Sequence, residues 1–277
     1  MPDNEKLEEL RSRLSPGLQR ELLDGAGLVL AQTNNPVRAH LFAAGLRELF
    51  GLTLETLAPD DSVTKCDWYE PVPNTSGPTR RQRALYATRG GLSDEFIREK
   101  LDIDLDELHT GIGKAFLDLN KRTHVRLDTH LSKPDEIEAF ANEQVAALLD
   151  IFQTMDELRA RLTDAIEESL HDEAVESMIN ETILSLDEIS AKYAIEGVWV
   201  SGTEVTSIDT EFVRYEMEGS VDVQLNWGDR RDGASIDKSF PFKCEAAASV
   251  EDPTAFISDM TSVSIDTRGW YGNDVEE

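Results

Sequence analysis

The hydrophobic pattern changes period once, near residue 195, and that single change limits the fold more than any other feature of the 277-residue chain. Before it, apolar residues recur at spacings of three and four, which places them on one face of a helix. Val37, Leu41, Phe42, Leu46, Leu49 and Phe50 form one such series, and Leu105, Leu108, Ile112, Phe116 and Leu119 a second. Leu148, Ile151, Met155, Leu158 and Leu162 form a third. After it, GVWVSGTEVTSIDT, EFVRYEMEGSVDVQLNW and SFPFKCEAAASV alternate and are rich in β-branched and aromatic residues, as strands of a half-buried sheet are. The chain therefore reads as α+β: a mainly helical amino-terminal body with a small antiparallel β domain at the carboxyl end.

Turn and cap residues divide it further. Residues 1–35, with Pro16 and Gly17 between two weak helices and the break QTNN at the end, read as a peripheral helical arm. Asn34, Asn35 and Pro36 open a helical domain, rich in Arg and His, over 36–133. Within it CDWYEPVPNTSGPTRRQR (66–83) is a structured loop leading to a helix with Thr79 as N-cap, Gly90 and Gly91 stop that helix, and Asp104 with Glu107 make a capping-box-like start to another. Residues 134–194 are expected to form a long helical hairpin, its second helix around Val175, Ile179, Ile183 and Leu186. So short a seam suits packing within the chain, with a homodimer as the other use. The β domain spans 195–270 with a hairpin turn in NWGDRRDG, and 271–277 read as a disordered tail.

Charge singles out the middle of the chain. With 55 acidic against 27 basic residues the net charge is -28, a balance that suggests life in concentrated salt, where screening shortens to ~3 Å and an acidic surface no longer excludes a polyanionic partner. Residues 134–277 carry 34 acidic and 9 basic side chains, but 36–133 carry 15 and 14, together with His40, His109, His124 and His130. If a nucleic acid is a partner, this block meets it. No apolar run approaches the ~20 residues that cross a bilayer and no basic-then-apolar leader opens the chain, so the expected location is cytoplasmic, with no membrane partner. Cys66 and Cys244 stand far apart without metal-ligand spacing, which signals neither a disulfide framework nor a zinc site.

Two clusters carry the candidate chemistry. In LNKRTHVRLDTH (119–130), Lys121 and Arg122 sit in the last turn of a helix, where cations interact favourably with the dipole. His124 lies just beyond, able to act as general acid or base beside a phosphate held by Lys121, Arg122 and Arg126. In TRRQR (79–83), Arg80, Arg81 and Arg83 sit at a helix start, where the dipole disfavours them. Either carboxylates of the chain or external phosphates must compensate them. Trp68 either stacks on a base or anchors the loop. His40 and Arg47, seven apart, return to nearly the same helical face.

A metal site has little support. None of the lysines has Asp or Glu two positions before it, so the acidic-any-lysine triplet of restriction-type nucleases is absent and Mg²⁺ lacks a motif. No cofactor is predicted; Asp222 is the best single carboxylate, but an outward-facing strand position is the safer account of it. The other route is metal-independent cleavage of RNA by Arg, His and the 2′-hydroxyl. All-helical HEPN ribonucleases place four to six residues between their Arg and His, whereas three separate Arg126 from His130 and seven separate Arg122 from it.

LFAAGLRELF (41–50), LAPDDSVTKCDWY (57–69), PTRRQRALYATRGGLSDEF (78–96), AFLDLNKRTHVR (115–126) and GSVDVQLNWGDRRDGASIDKSFPFKC (219–244) together resemble the predicted pPIWI-associating nucleases of bacteria and archaea. The resemblance implies a nuclease or nucleic-acid-binding component of defence against mobile elements, working near a PIWI-type protein. It marks Arg47, Glu48, Trp68, Arg80, Gln82, Arg83, Lys121, Thr123 and His124 as site residues; His130 lies outside the matching string. A non-catalytic adaptor and an internal ionic network are the two rival readings.

Overall fold

Phe42, Leu46, Leu49, Phe50 and Leu54 are fully buried along one side of the 20-residue helix Arg38–Leu57, around which the helical part of the chain is built. The structure is a computed structural model and describes residues 3–180, 184–190, 192–228 and 232–271. It divides into two units, residues 1–158 and 159–277.

The first unit contains α1 (Asn4–Arg13), α2 (Leu18–Leu30), α3 (Arg38–Leu57), α4 (Asp60–Val63), α5 (Arg80–Arg89), α6 (Asp94–Lys100), α7 (Asp106–Arg122) and the first half of α8 (Pro134–Asn180). One apolar core joins α1, α2, α3, α7 and α8: Leu10, Leu23, Phe42, Phe116, Leu119, Phe140 and Leu148 all belong to it. Residues 1–35, expected as a peripheral arm, are thus a wall of this core. Leu10, Leu14, Leu23 and Leu30 are nearly inaccessible, although the charged residues between them dilute the pattern that would announce it. Gly45 faces α2, where an added Cβ would stand 3.4 Å from that of Ala26, so the two helices meet on small residues.

Residues 134–180 are one helix of 47 residues, where a hairpin was expected. The physical reason is the lack of any breaker: neither Gly nor Pro occurs between residues 135 and 180. Ile183 lies outside the described residues, as do the side chains of His109, Val175 and Ile179, positions 229–231 of the expected hairpin turn, and residues 272–277.

The second unit holds the rest of α8, the short α9 (Leu184–Asp187) and an antiparallel sheet of β1 (Lys192–Ile208), β2 (Phe212–Trp227), β3 (Ala234–Ser249), β4 (Asp252–Phe256) and β5 (Ser262–Ile265). The order is β1-β2-β3-β4, with β5 also pairing β3. β2 is the central strand and buries Val213, Tyr215, Met217, Val221, Val223 and Leu225 on one face, the strict alternation of a sheet covered on one side. Gly219 interrupts that series because any side chain there would collide with the Trp199 carbonyl at 2.0 Å.

Candidate functional site

α3, α5 and α7 pack on one another, and their contacts determine where the basic residues of the first unit go. α5 starts at Arg80 because Thr79 and Gln82 close a capping box: Thr79 Oγ1 accepts from the Gln82 amide, and Gln82 Oε1 accepts from the Thr79 amide at 2.8 Å. Gln82 Nε2 also donates to the Glu70 carbonyl at 2.6 Å, which ties the proline-rich loop to the same turn. The three arginines of TRRQR are therefore carried on a braced helix start.

They line an open groove of about 650 Å³, whose other walls are Glu55, Asp60, residues 74–79 and the face of α7 that carries Gly113, Phe116, Leu117 and Asn120. The three are not equivalent. Arg83 forms an ion pair with Asp60 and donates to the Ala58 carbonyl at 2.6 Å, so its charge is neutralised within the chain. Arg80 lies over the Phe116 ring, 3.7 Å from its centroid, a contact that uses none of its N–H donors. Among the described residues no carboxylate lies within ion-pair distance of Arg80 or of Arg81. Burial and the neighbouring Arg47 push the Arg80 guanidinium below its usual pKa, opposed by Glu48 and Glu55 and with a smaller push from Arg83. Arg47 and Arg83 thus lie within electrostatic reach of Arg80, which alone of these three has no carboxylate partner among the described residues.

Arg47 continues the series toward the end of α7. Its Nε and Nη2 hold Glu48 Oε1 at 3.0 and 2.5 Å, and its Nη1 is 3.5 Å from Thr123 Oγ1. Beyond Thr123 the chain forms a turn closed by the buried Thr129, whose hydroxyl accepts from the Arg126 amide at 3.0 Å and donates to the His124 carbonyl at 2.7 Å. Arg122, expected to hold phosphate, faces inward: Nη1 donates to the Thr129 carbonyl at 3.1 Å and the guanidinium lies over the Phe140 ring. It braces the turn. Lys121, His124 and Arg126 are exposed, and among the described residues none of the three meets a carboxylate within ion-pair distance.

Trp68 has a structural place. Its indole N–H donates to the Gly90 carbonyl at 3.0 Å, Arg89 lies over its ring, and it packs with Ala58, Val63, Cys66 and Tyr86. Arg89 itself, unremarked in the sequence, is almost fully buried and paired with Asp94. Burial pushes its pKa down and Asp94 pushes it back up.

A pair of histidines is the feature that sequence reasoning missed. His40 of α3 is buried, with Nδ1 2.7 Å from the Arg122 carbonyl oxygen and Nε2 3.2 Å from Nδ1 of the exposed His130. The two rings are within 6° of parallel. His40 and Arg47 do reach the same neighbour, the end of α7, as their spacing of seven suggested. His130 enters only through the fold, 90 residues away from His40.

Among the described residues no three His, Cys, Asp or Glu side chains are grouped to hold a metal ion, and no helix is long and apolar enough to cross a membrane. No curated protein and no solved structure matches the chain. Two family models, both described as predicted pPIWI-associating nuclease, match residues 11–148 and 155–271. The first covers the core of the helical unit with its groove and histidines, the second most of α8 beyond residue 155 and the whole sheet. Between them they leave only the chain ends and a six-residue gap, and the chain belongs to the predicted pPIWI-associating nuclease family.

Proposed function

We propose that this chain binds nucleic acid by its phosphates along the groove between α5 and α7, as a nuclease component of defence against mobile elements that acts beside a PIWI-type protein. The observation that carries the reading is Arg80. In a chain with 55 acidic and 27 basic residues, carboxylates are abundant, yet this partly buried guanidinium has none in ion-pair distance and stands near Arg47 and Arg83. Like charges held close cost free energy until an anion arrives, and a phosphate between them relieves that cost. Arg81, Lys121 and Arg126 extend the cationic surface, and the exposed His124 supplies a proton donor or acceptor beside it. The family description supports both the nuclease reading and the PIWI-type partner.

The test is binding of short single- and double-stranded DNA and RNA by fluorescence anisotropy, with and without Mg²⁺, for the wild type and Arg80→Ala. The expected result is binding that depends little on sequence, because phosphate contacts carry none, and that weakens for every bound polymer in the variant. A wild type that binds none of the four leaves the adaptor role, with a protein as the partner of this surface.

A further inference from the structure

We infer that His130 is a general base, set in its reactive form by His40, and that the group it deprotonates is the 2′-hydroxyl of RNA; this rests on the nucleic-acid reading above and names its substrate class. The Arg122 oxygen can only accept, so His40 Nδ1, 2.7 Å away, must carry a proton. A neutral His40 then presents a lone pair at Nε2. Its neighbour at 3.2 Å is His130 Nδ1, which must be the donor of that second bond. The proton of a neutral His130 is thereby fixed on Nδ1, and the lone pair is left on Nε2 of an exposed ring.

Three features hold that lone pair ready before any substrate arrives. The buried His40 has a fixed place on α3, so the order of donors and acceptors is set before any ligand binds. When Nε2 takes a proton, the resulting imidazolium keeps its Nδ1–H directed at an acceptor that is itself polarised by the Arg122 carbonyl. That carbonyl belongs to the last residue of α7, so the end of a long helix fixes the position of the first acceptor in the series. The turn that carries His130 is braced as well, by Thr129 and by the His130 amide, which donates to the Arg126 carbonyl at 2.9 Å.

The reaction such a base supports is transfer within RNA. His130 Nε2 takes the proton of a ribose 2′-hydroxyl. The 2′-oxygen bonds to the adjacent phosphorus, the bond from phosphorus to the 5′-oxygen breaks, and that oxygen takes a proton from solvent, to which His130 returns its own. One fragment ends in a 2′,3′-cyclic phosphate and the other in a 5′-hydroxyl. A nucleophile already attached to the substrate needs only deprotonation, which the imidazole supplies, and charge neutralisation, for which the exposed Arg126 of the same turn is the available cation. His130 is the catalytic residue and His40 a positioning residue.

The experiment uses the full chain with single-stranded RNA in EDTA, end-group analysis of the products, and long-range ¹H–¹⁵N correlation spectra of the imidazoles. Cleavage to cyclic phosphate and 5′-hydroxyl ends is expected, abolished by a 2′-deoxy substitution at the cut. His130→Ala is expected to lose about 100-fold or more in kcat with RNA binding kept. His40→Leu is expected to lower kcat at unchanged KM and to release the His130 ring from its Nδ1–H form. In the wild type neutral His130 should be the Nδ1–H tautomer, a readout independent of turnover. An Nε2–H tautomer overturns the inference, as does cleavage that survives His130→Ala. RNA bound but left intact in EDTA also overturns it while leaving the binding proposal standing; failure to bind would instead remove the binding proposal.

Discussion

Replacing Arg80 tests the cationic groove quantitatively, because the structure separates cations that already have a carboxylate from those that do not. Each phosphate neutralised on a single strand contributes about 0.7 to the slope of log affinity against log salt. Arg80, Arg81, Lys121 and Arg126 are unpaired among the described residues, whereas Arg47 and Arg83 hold Glu48 and Asp60. Four contacts give a slope of about −3, a loss of roughly 50-fold in affinity between ~50 and ~200 mM salt. Arg80→Ala removes one contact, so the slope falls to about −2 and the loss to roughly 20-fold. Arg83→Ala serves as the control. Its guanidinium is committed to Asp60 and the Ala58 carbonyl, so binding weakens little and the slope changes by less than about half as much as for Arg80. The assay is anisotropy over whatever salt range leaves the far-UV circular dichroism constant, which accommodates a protein that needs salt to fold. An unchanged slope in Arg80→Ala, or an equal fall in Arg83→Ala, would refute the distinction between free and paired arginines.

Three further outcomes follow from particular contacts. Asp60→Asn releases Arg83 into the groove and should tighten nucleic-acid binding at low salt, which the same anisotropy assay reads; weaker binding would mean that the ion pair holds the groove open. Gln144 is completely buried in α8 and neither of its amide atoms has a hydrogen-bond partner among the described residues, so Gln144→Met should stabilise the helical unit by about 1–3 kcal/mol. In a thermal melt followed by circular dichroism that is a rise of roughly 3–9 °C, and a fall would show that the amide is satisfied. Hydrogen bonds from Arg268 hold the Asp266 carboxyl at a pKa of about 2, below its unfolded value, so this contact is present above about pH 4 and is lost as pH falls toward 2. An NMR titration should find that midpoint in the wild type and a higher one in Arg268→Ala, still below the ordinary carboxylate range because the backbone N–H of residue 268 continues to donate to Asp266.

What the sequence disclosed was local, and what it withheld was long-range. The change of hydrophobic period located the passage from helix to sheet, and the Thr79–Gln82 box is a pattern four residues long that needs no tertiary partner to form. The length of α8 was equally local and was obscured by the attraction of a hairpin, although the chain holds no residue to break the helix. The burial of α1 was not legible in this way, because its apolar residues are interleaved with Glu5, Glu8, Glu9, Arg11 and Arg13. The candidate site divides along the same line. Arg80, Arg81 and Arg83 stand out as a run, but which of them is free depends on Asp60, 23 residues from Arg83. His40 and His130 could not be paired from spacing at all, and the inward turn of Arg122 depends on Phe140 and Thr129.

β1 lies at the edge of its sheet and is 17 residues long, with the exposed Trp199 near its middle. An edge of that length offers a row of peptide groups on which another chain could add a strand. Its pairing with β2 slips three times, between Ile195 and Gly197, Val200 and Gly202, and Val205 and Ser207, so Glu196, Ser201 and Thr206 each stand out of register at intervals of five. A bulge bends and twists the strand that carries it. A straight incoming strand therefore follows this margin for only a few residues before it meets a bulge.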